Sequence, residues 1–121
     1  MSVQDTEFFR PLVTALAAND DSHIPIAAST FNAADLADFI EAHPEADVGI
    51  RLLDALPKEQ GGKVLGYIGP NTQTLIAQQL PTRSLTELVT AMPSDERADF
   101  FQLLDEQRQH SLFQSLASKE R

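Results

Sequence analysis

Prolines recur along this chain at nearly constant spacing, and that spacing limits the possible folds more than any other feature. They stand at Pro44, Pro57, Pro70, Pro81 and Pro93, at intervals of 13, 13, 11 and 12 residues. Each of the last four follows a short apolar cluster whose last large residue is Leu, Ile or Met: "RLLDALP", "KVLGYIGP", "TLIAQQLP" and "ELVTAMP". The phrase returns without proline in "DFFQLLDE" and "HSLFQSLA", ending at Leu104 and Leu116, again 12 apart. Self-similarity at a fixed period marks one structural unit stacked on the next.

The apolar residues inside each unit have helical spacing. Val64, Leu65 and Ile68 form one stripe, Leu75, Ile76 and Leu80 a second, and Phe100, Phe101 and Leu104 a third. None alternates as a strand would. Proline suits the first turn of a helix, where its missing N–H costs nothing, and it drives the residue before it out of helical geometry. Each proline therefore ends one helix and opens the next. A unit of this length allows roughly two to three helical turns, too short to persist alone in water, so stability has to come from stacking.

The N-terminal part is less regular. Gln4 to Ala18 is expected to form a longer amphipathic helix on Phe8, Phe9, Leu12, Val13 and Leu16, followed by the poorly defined "HIPIAASTF". "NAADLADFIEA" then opens with Asn32 as N-cap and Asp35 three residues on. The expected fold is all-α: eight or nine short helices wound into a superhelix. Residues 1–121 read as one domain, with an irregular part over 1–31 and proline-punctuated repeats over 32–116.

Bulk composition narrows function by exclusion. The chain has no cysteine, which rules out disulfides and cysteine chemistry and is compatible with a reducing, cytoplasmic compartment. His23, His43 and His110 show no metal-ligand spacing. The run from Val64 to Thr82 carries no charge, but Pro70, Pro81, Asn71 and its glutamines make it too polar and broken to span a bilayer. The N-terminus lacks the basic region followed by an apolar block that marks a signal peptide. Net charge is −9, which argues against nucleic acid as a partner. Met1 to Gly49 holds nine acids against Arg10 alone, whereas the remainder holds nine acids against eight bases. Such asymmetry suits either a cation-attracting face or a solvated surface that keeps the domain dispersed.

No catalytic motif is present, neither G-x-S-x-G, P-loop, H-E-x-x-H nor EF-hand loop, and no enzyme activity is expected. "GYIGPNT" reads as a helix-to-helix turn. Gly61 and Gly62 lie inside a helical unit, where each glycine costs about 1 kcal/mol relative to alanine. Either a neighbouring helix approaches closely there or that unit starts late. His43 is placed at a helix end, and Phe31, Phe39, Phe100, Phe101 and Phe113 are expected in the core.

The candidate site lies in "MPSDERADFFQLLDE". Asp95 and Asp99, at i and i+4, share a helix face, with Glu96 beside it. Like charges at that spacing repel by about 0.2–0.5 kcal/mol. The helix dipole accounts for Asp95 and Glu96 in the first turn, with Arg97 available to screen them, but it accounts less well for Asp99. Hard divalent cations such as Mg²⁺ take oxygen ligands and keep most of their water, so two carboxylates a turn apart suit a weak site.

The stretch "LPKEQGGKVLGYIGPNTQTLIAQQLPTRSLTELVTAMPSDERADFFQLL" resembles the cytosolic N-terminal domain of MgtE-type magnesium transporters over about Asn32 to Leu116. The most specific part is "SDERADFFQLL", which is similar to the family's "M-[SP]-x-D-D-x-A-D-L-L". The resemblance implies a right-handed superhelix of short helices that precedes paired CBS domains and a membrane-embedded dimeric channel. In such transporters Mg²⁺ at high internal concentration draws the cytosolic domains together and closes the pore. The implied metal residues are Asp95, Glu96 and Asp99, and the implied partners are Mg²⁺, the CBS domains and the membrane domain, with dimerisation only through those domains. The implied location is the cytosolic side of the inner membrane.

Two features depart from the pattern. Lys63 stands before Val64 where the family often carries a glutamate, and an ammonium cannot ligate Mg²⁺. The chain also stops at Arg121 with neither CBS domains nor transmembrane helices, and reads either as one domain of a longer protein or as a stand-alone relative. The competing reading is a helical interaction module without ion binding, similar to those of the flagellar motor switch.

Overall fold

Each repeat proline sits at a helix boundary for the reason its chemistry gives. In the computed structural model, which describes residues 7–18 and 20–119, nine α-helices follow one another: α1 (Arg10–Ala17), α2 (Ile24–Ala28), α3 (Ala33–Ala42), α4 (Ala46–Ala55), α5 (Lys58–Tyr67), α6 (Pro70–Gln79), α7 (Thr82–Ala91), α8 (Ser94–Gln102) and α9 (Glu106–Lys119). A 3-10 turn, Asp21–His23, links α1 to α2, and no strand occurs among the described residues. Pro57, Pro81 and Pro93 stand just before α5, α7 and α8, and Pro70 opens α6. Leu56, Ile68, Leu80 and Met92 are all extended, with ψ of 152°, 142°, 139° and 148°. All four are buried, so each corner redirects the chain while its side chain plugs the core.

Alternate helices pack side by side. α3 lies on α5, α5 on α7 and α7 on α9, while α4 lies against α6 and α8 reaches α5. The apolar core runs from Phe9 through Phe39, Leu65 and Leu88 to Leu112. Close approach is the reason for the glycine pair. A Cβ at Gly61 would stand 2.7 Å from Leu88 Cδ2, and one at Gly62 would stand 2.9 Å from Ala91 Cβ and 3.0 Å from its carbonyl carbon. α5 nevertheless starts at Lys58, so the late-start alternative is not needed.

Side chains close the helix ends that the short corners leave open. Asn32 Oδ1 accepts from Asp35 N at 2.8 Å, the cap expected from sequence. Asp105 Oδ1 accepts from Arg108 N at 2.7 Å ahead of α9. At the C-terminal ends, Arg108 Nη2 donates to Gln78 O at 2.9 Å, and His43 Nδ1 lies 2.9 Å from Phe39 O with its ring against that of Phe39.

The N-terminal part corrects two expectations. The helix predicted over Gln4–Ala18 is instead interrupted at Phe9, non-helical at φ −95°, ψ 12°: Glu7 and Phe8 are helical, and α1 starts afresh at Arg10; Gln4 to Thr6 lie outside the described residues. Pro11 explains the start, because it has no N–H to bond back to Glu7 and so belongs in a first turn. The buried face of α1 is Leu12 and Ala15 below Phe9, whereas Phe8 and Val13 are 54% and 39% exposed. "HIPIAASTF" resolves into the last residue of the 3-10 turn, α2 and a turn over residues 29–31. Phe113 was expected in the core but is 66% exposed: α9 packs on α7 through buried Leu112 and half-buried Leu116, and Phe113 falls outside that i, i+4 stripe.

Arg51 ties this part to the repeats. Its Nη2 donates to Asp21 Oδ1 at 2.7 Å and to Leu16 O at 3.1 Å, closing the end of α1. The pair is partly exposed, so Arg51→Ala is expected to cost only about 1 kcal/mol in urea unfolding. Faster amide exchange should be confined to α1 and the 3-10 turn; an unchanged urea midpoint and exchange pattern would show that the link contributes nothing.

Candidate functional site

The acids of α8 are set by how that helix begins and what anchors it. Pro93 fixes the entry, which places Asp95 and Glu96 in the first turn, where the dipole favours carboxylates, and Asp99 one turn further in. Phe100 is the one residue of α8 buried in the core, and Phe101 is half-buried against it. Asp95, Glu96 and Asp99 are all exposed, and none forms an ion pair among the described residues.

Arg97 does not screen these acids, contrary to the expectation from sequence. Its Nη2 donates to Thr90 O at 3.2 Å and Met92 O at 3.0 Å, closing the end of α7. Its Nε is enclosed without a hydrogen-bond partner. The one base on α8 is therefore turned toward α7 and forms no ion pair with the acids among the described residues.

The structure groups the three acids differently from the i, i+4 argument. Glu96 and Asp99 line an open depression of about 240 Å³ between α8 and the corner from α5 to α6. Gly66, Ile68, Pro70, Gln73 and Phe100 form the rest of its wall, and Asp95 is not part of it. Gln73 is buried and its Nε2 donates to Leu65 O at 2.7 Å, which fixes its side chain in that wall. Among the described residues, no three Asp, Glu, His or Cys side chains converge as a metal-holding group. The local donors are thus carboxylate oxygens in a wet, open setting, which suit a hard, hydrated cation and do not enclose one.

The wall residues of α5 and α6 escaped sequence reading. "GYIGPNT" is indeed a turn, but it also seats two carboxylates. Glu96 lies over Gly66, and Glu41 Oε1, reaching from α3, accepts from Gly69 N at 3.2 Å ahead of α6. The two glycines of that stretch, Gly66 and Gly69, are the signal the sequence offers. Lys63 is exposed on α5 and makes no ion pair among the described residues. His23 stands beside Asp20 and His110 is exposed, both remote in sequence from α8.

The family model for the MgtE intracellular N domain matches residues 31–121. The chain belongs to that family. The match takes in α3 to α9, hence every proline corner and the whole depression, and leaves α1, the 3-10 turn and α2 outside it. MgtE is a transporter family and not an enzyme class. Neither the curated proteins nor the solved structures returned a match. No helix among the described residues is long and apolar enough to cross a membrane.

Proposed function

We propose that this MgtE N domain is a cytosolic Mg²⁺ sensor, and that the acidic face of α8 is its sensing surface. Glu96 and Asp99 would share a divalent cation, with Asp95 adding charge beside them, and the remaining ligands would come from water and a neighbouring CBS domain. The observation that carries this reading is that these three carboxylates are exposed and form no ion pair among the described residues, within the stretch that the family model matches.

The physical basis is electrostatic. Acidic faces of adjoining domains repel when divalent ions are scarce and approach when ions neutralise them, which makes a two-state switch biased by concentration. An incomplete ligand set suits that role, because a cation held by two domains couples its own binding to their approach. Lys63, one turn before Gly66 on α5, lowers the local negative charge and shifts the expected ion contact toward α8.

The test on this chain is its thermal midpoint across a MgCl₂ titration at matched ionic strength. A ligand that binds only the folded state stabilises by RT ln(1 + [L]/Kd), so the midpoint should rise saturably. The Glu96→Gln, Asp99→Asn double variant should lose that rise. Equal, non-saturating responses in both proteins would mean that these acids merely begin a helix.

A further inference from the structure

Glycine at position 66 has no explanation in the backbone or in the packing of helices. Gly66 lies in the last turn of α5 and does not adopt a positive φ, so an L-residue would fit its conformation. Alanine is the better helix former, and glycine here weakens the helix that carries it. Three other glycines of the repeats have an apolar packing neighbour, and Gly69 faces the Glu41 carboxylate that its own N–H holds. Gly49 faces Ile40 and Ile76, Gly61 faces Leu88, and Gly62 faces Ala91. At Gly66 the three atoms nearest to an added Cβ all belong to the Glu96 carboxylate: the Cβ would overlap Oε2 and lie 2.9 Å from Cδ and 3.6 Å from Oε1.

We infer that Gly66 is a positioning residue: the missing Cβ is the niche that holds the Glu96 carboxylate in the depression beside Asp99. The inference rests on the cation-sensing reading above and adds a residue of α5 to a surface otherwise built on α8. Among the described residues no hydrogen bond fixes Glu96, in contrast to Glu41, which accepts from Gly69 N. Its position is therefore set by shape. A Cβ at 66 displaces the far end of a flexible, exposed side chain and no backbone, so the fold tolerates Gly66→Ala while the carboxylate swings out of the depression.

The experiment uses the 121-residue chain and Mn²⁺ as a paramagnetic stand-in for Mg²⁺. It follows the Mn²⁺ concentration at which amide signals of α8 and of the corner from α5 to α6 broaden by half. Residues that orient a metal ligand typically change affinity 10–100-fold when replaced, and for an open site we expect the lower end, about tenfold more Mn²⁺ for Gly66→Ala. Glu96→Gln should shift the requirement by a similar factor, and the urea midpoint of Gly66→Ala should equal or exceed that of the parent. Gly62→Ala serves as the control: its urea midpoint should fall and its Mn²⁺ requirement stay unchanged. Equal Mn²⁺ requirements in the parent and Gly66→Ala would overturn the inference, as would an equal loss in Gly62→Ala. Absence of selective broadening around α8 in the parent would overturn the cation reading itself, and the inference with it.

Discussion

Phe100→Ala is expected to destabilise the chain by about 3–5 kcal/mol, the usual cost of removing a buried phenylalanine. The high end is favoured by how α8 is held. Phe100 is 1% exposed and is the only fully buried residue of that helix, so no neighbour on α8 can take its place. The same ring forms part of the wall of the depression that Glu96 and Asp99 line. The loss should therefore appear twice: as a lower urea midpoint for the whole chain, and as faster amide exchange in α8 than in α5 or α7 when both proteins are compared at equal global stability. A loss under about 1 kcal/mol would mean that the cavity collapses freely and that Phe100 does not anchor the helix.

The second large effect runs against helix propensity. Gly62→Ala adds a good helix former to the middle of α5, which alone would stabilise by up to about 1 kcal/mol. The added methyl, however, meets Ala91 at its Cβ and at its backbone, 2.9 to 3.1 Å away, and a neighbouring backbone cannot rotate aside. Overpacking a tight contact costs about 1–3 kcal/mol, so a net loss of roughly 1–2 kcal/mol is expected. Gly66→Ala makes the opposite case: its neighbour is the tip of a side chain, and the variant should be as stable as the parent or more so. Urea unfolding of the two variants side by side checks the argument. If both gained stability, the close approach of α5 and α7 would not be what keeps glycine at position 62.

That contrast also shows what the sequence made legible and what it hid. The corners were readable because proline acts locally: its ring decides the conformation of itself and its predecessor wherever it stands, and Leu56, Leu80 and Met92 are extended for that reason. The cap at Asn32 was readable on the same ground. Gly61 and Gly62 pointed to a close contact without naming the partner, because α7 lies about 25 residues further along the chain. Phe113 was placed in the core on hydrophobicity alone, and Phe8 and Val13 on the apolar stripe of a helix over Gln4–Ala18. Their exposure follows from which stripe of a terminal helix finds a partner, and that is decided by packing between distant segments.

The site divided along the same line. The three acids could be identified from α8 alone, but their grouping could not. Glu96 joins Asp99 because the corner between α5 and α6 stands opposite them, and Arg97 turns away because the last carbonyls of α7 lie within its reach. Both are tertiary facts. A helical-wheel argument that sees one helix at a time necessarily pairs Asp95 with Asp99.

In the proposed role, the α8 carboxylates set the ion level at which an MgtE transporter carrying this domain closes. The direct measurement is the cytosolic Mg²⁺ concentration for half-closure, in the parent and with Asp95→Asn, Glu96→Gln and Asp99→Asn combined. A severalfold higher concentration is expected in the variant, with conduction through the open pore unchanged. Half-closure at the same concentration in both proteins would contradict it.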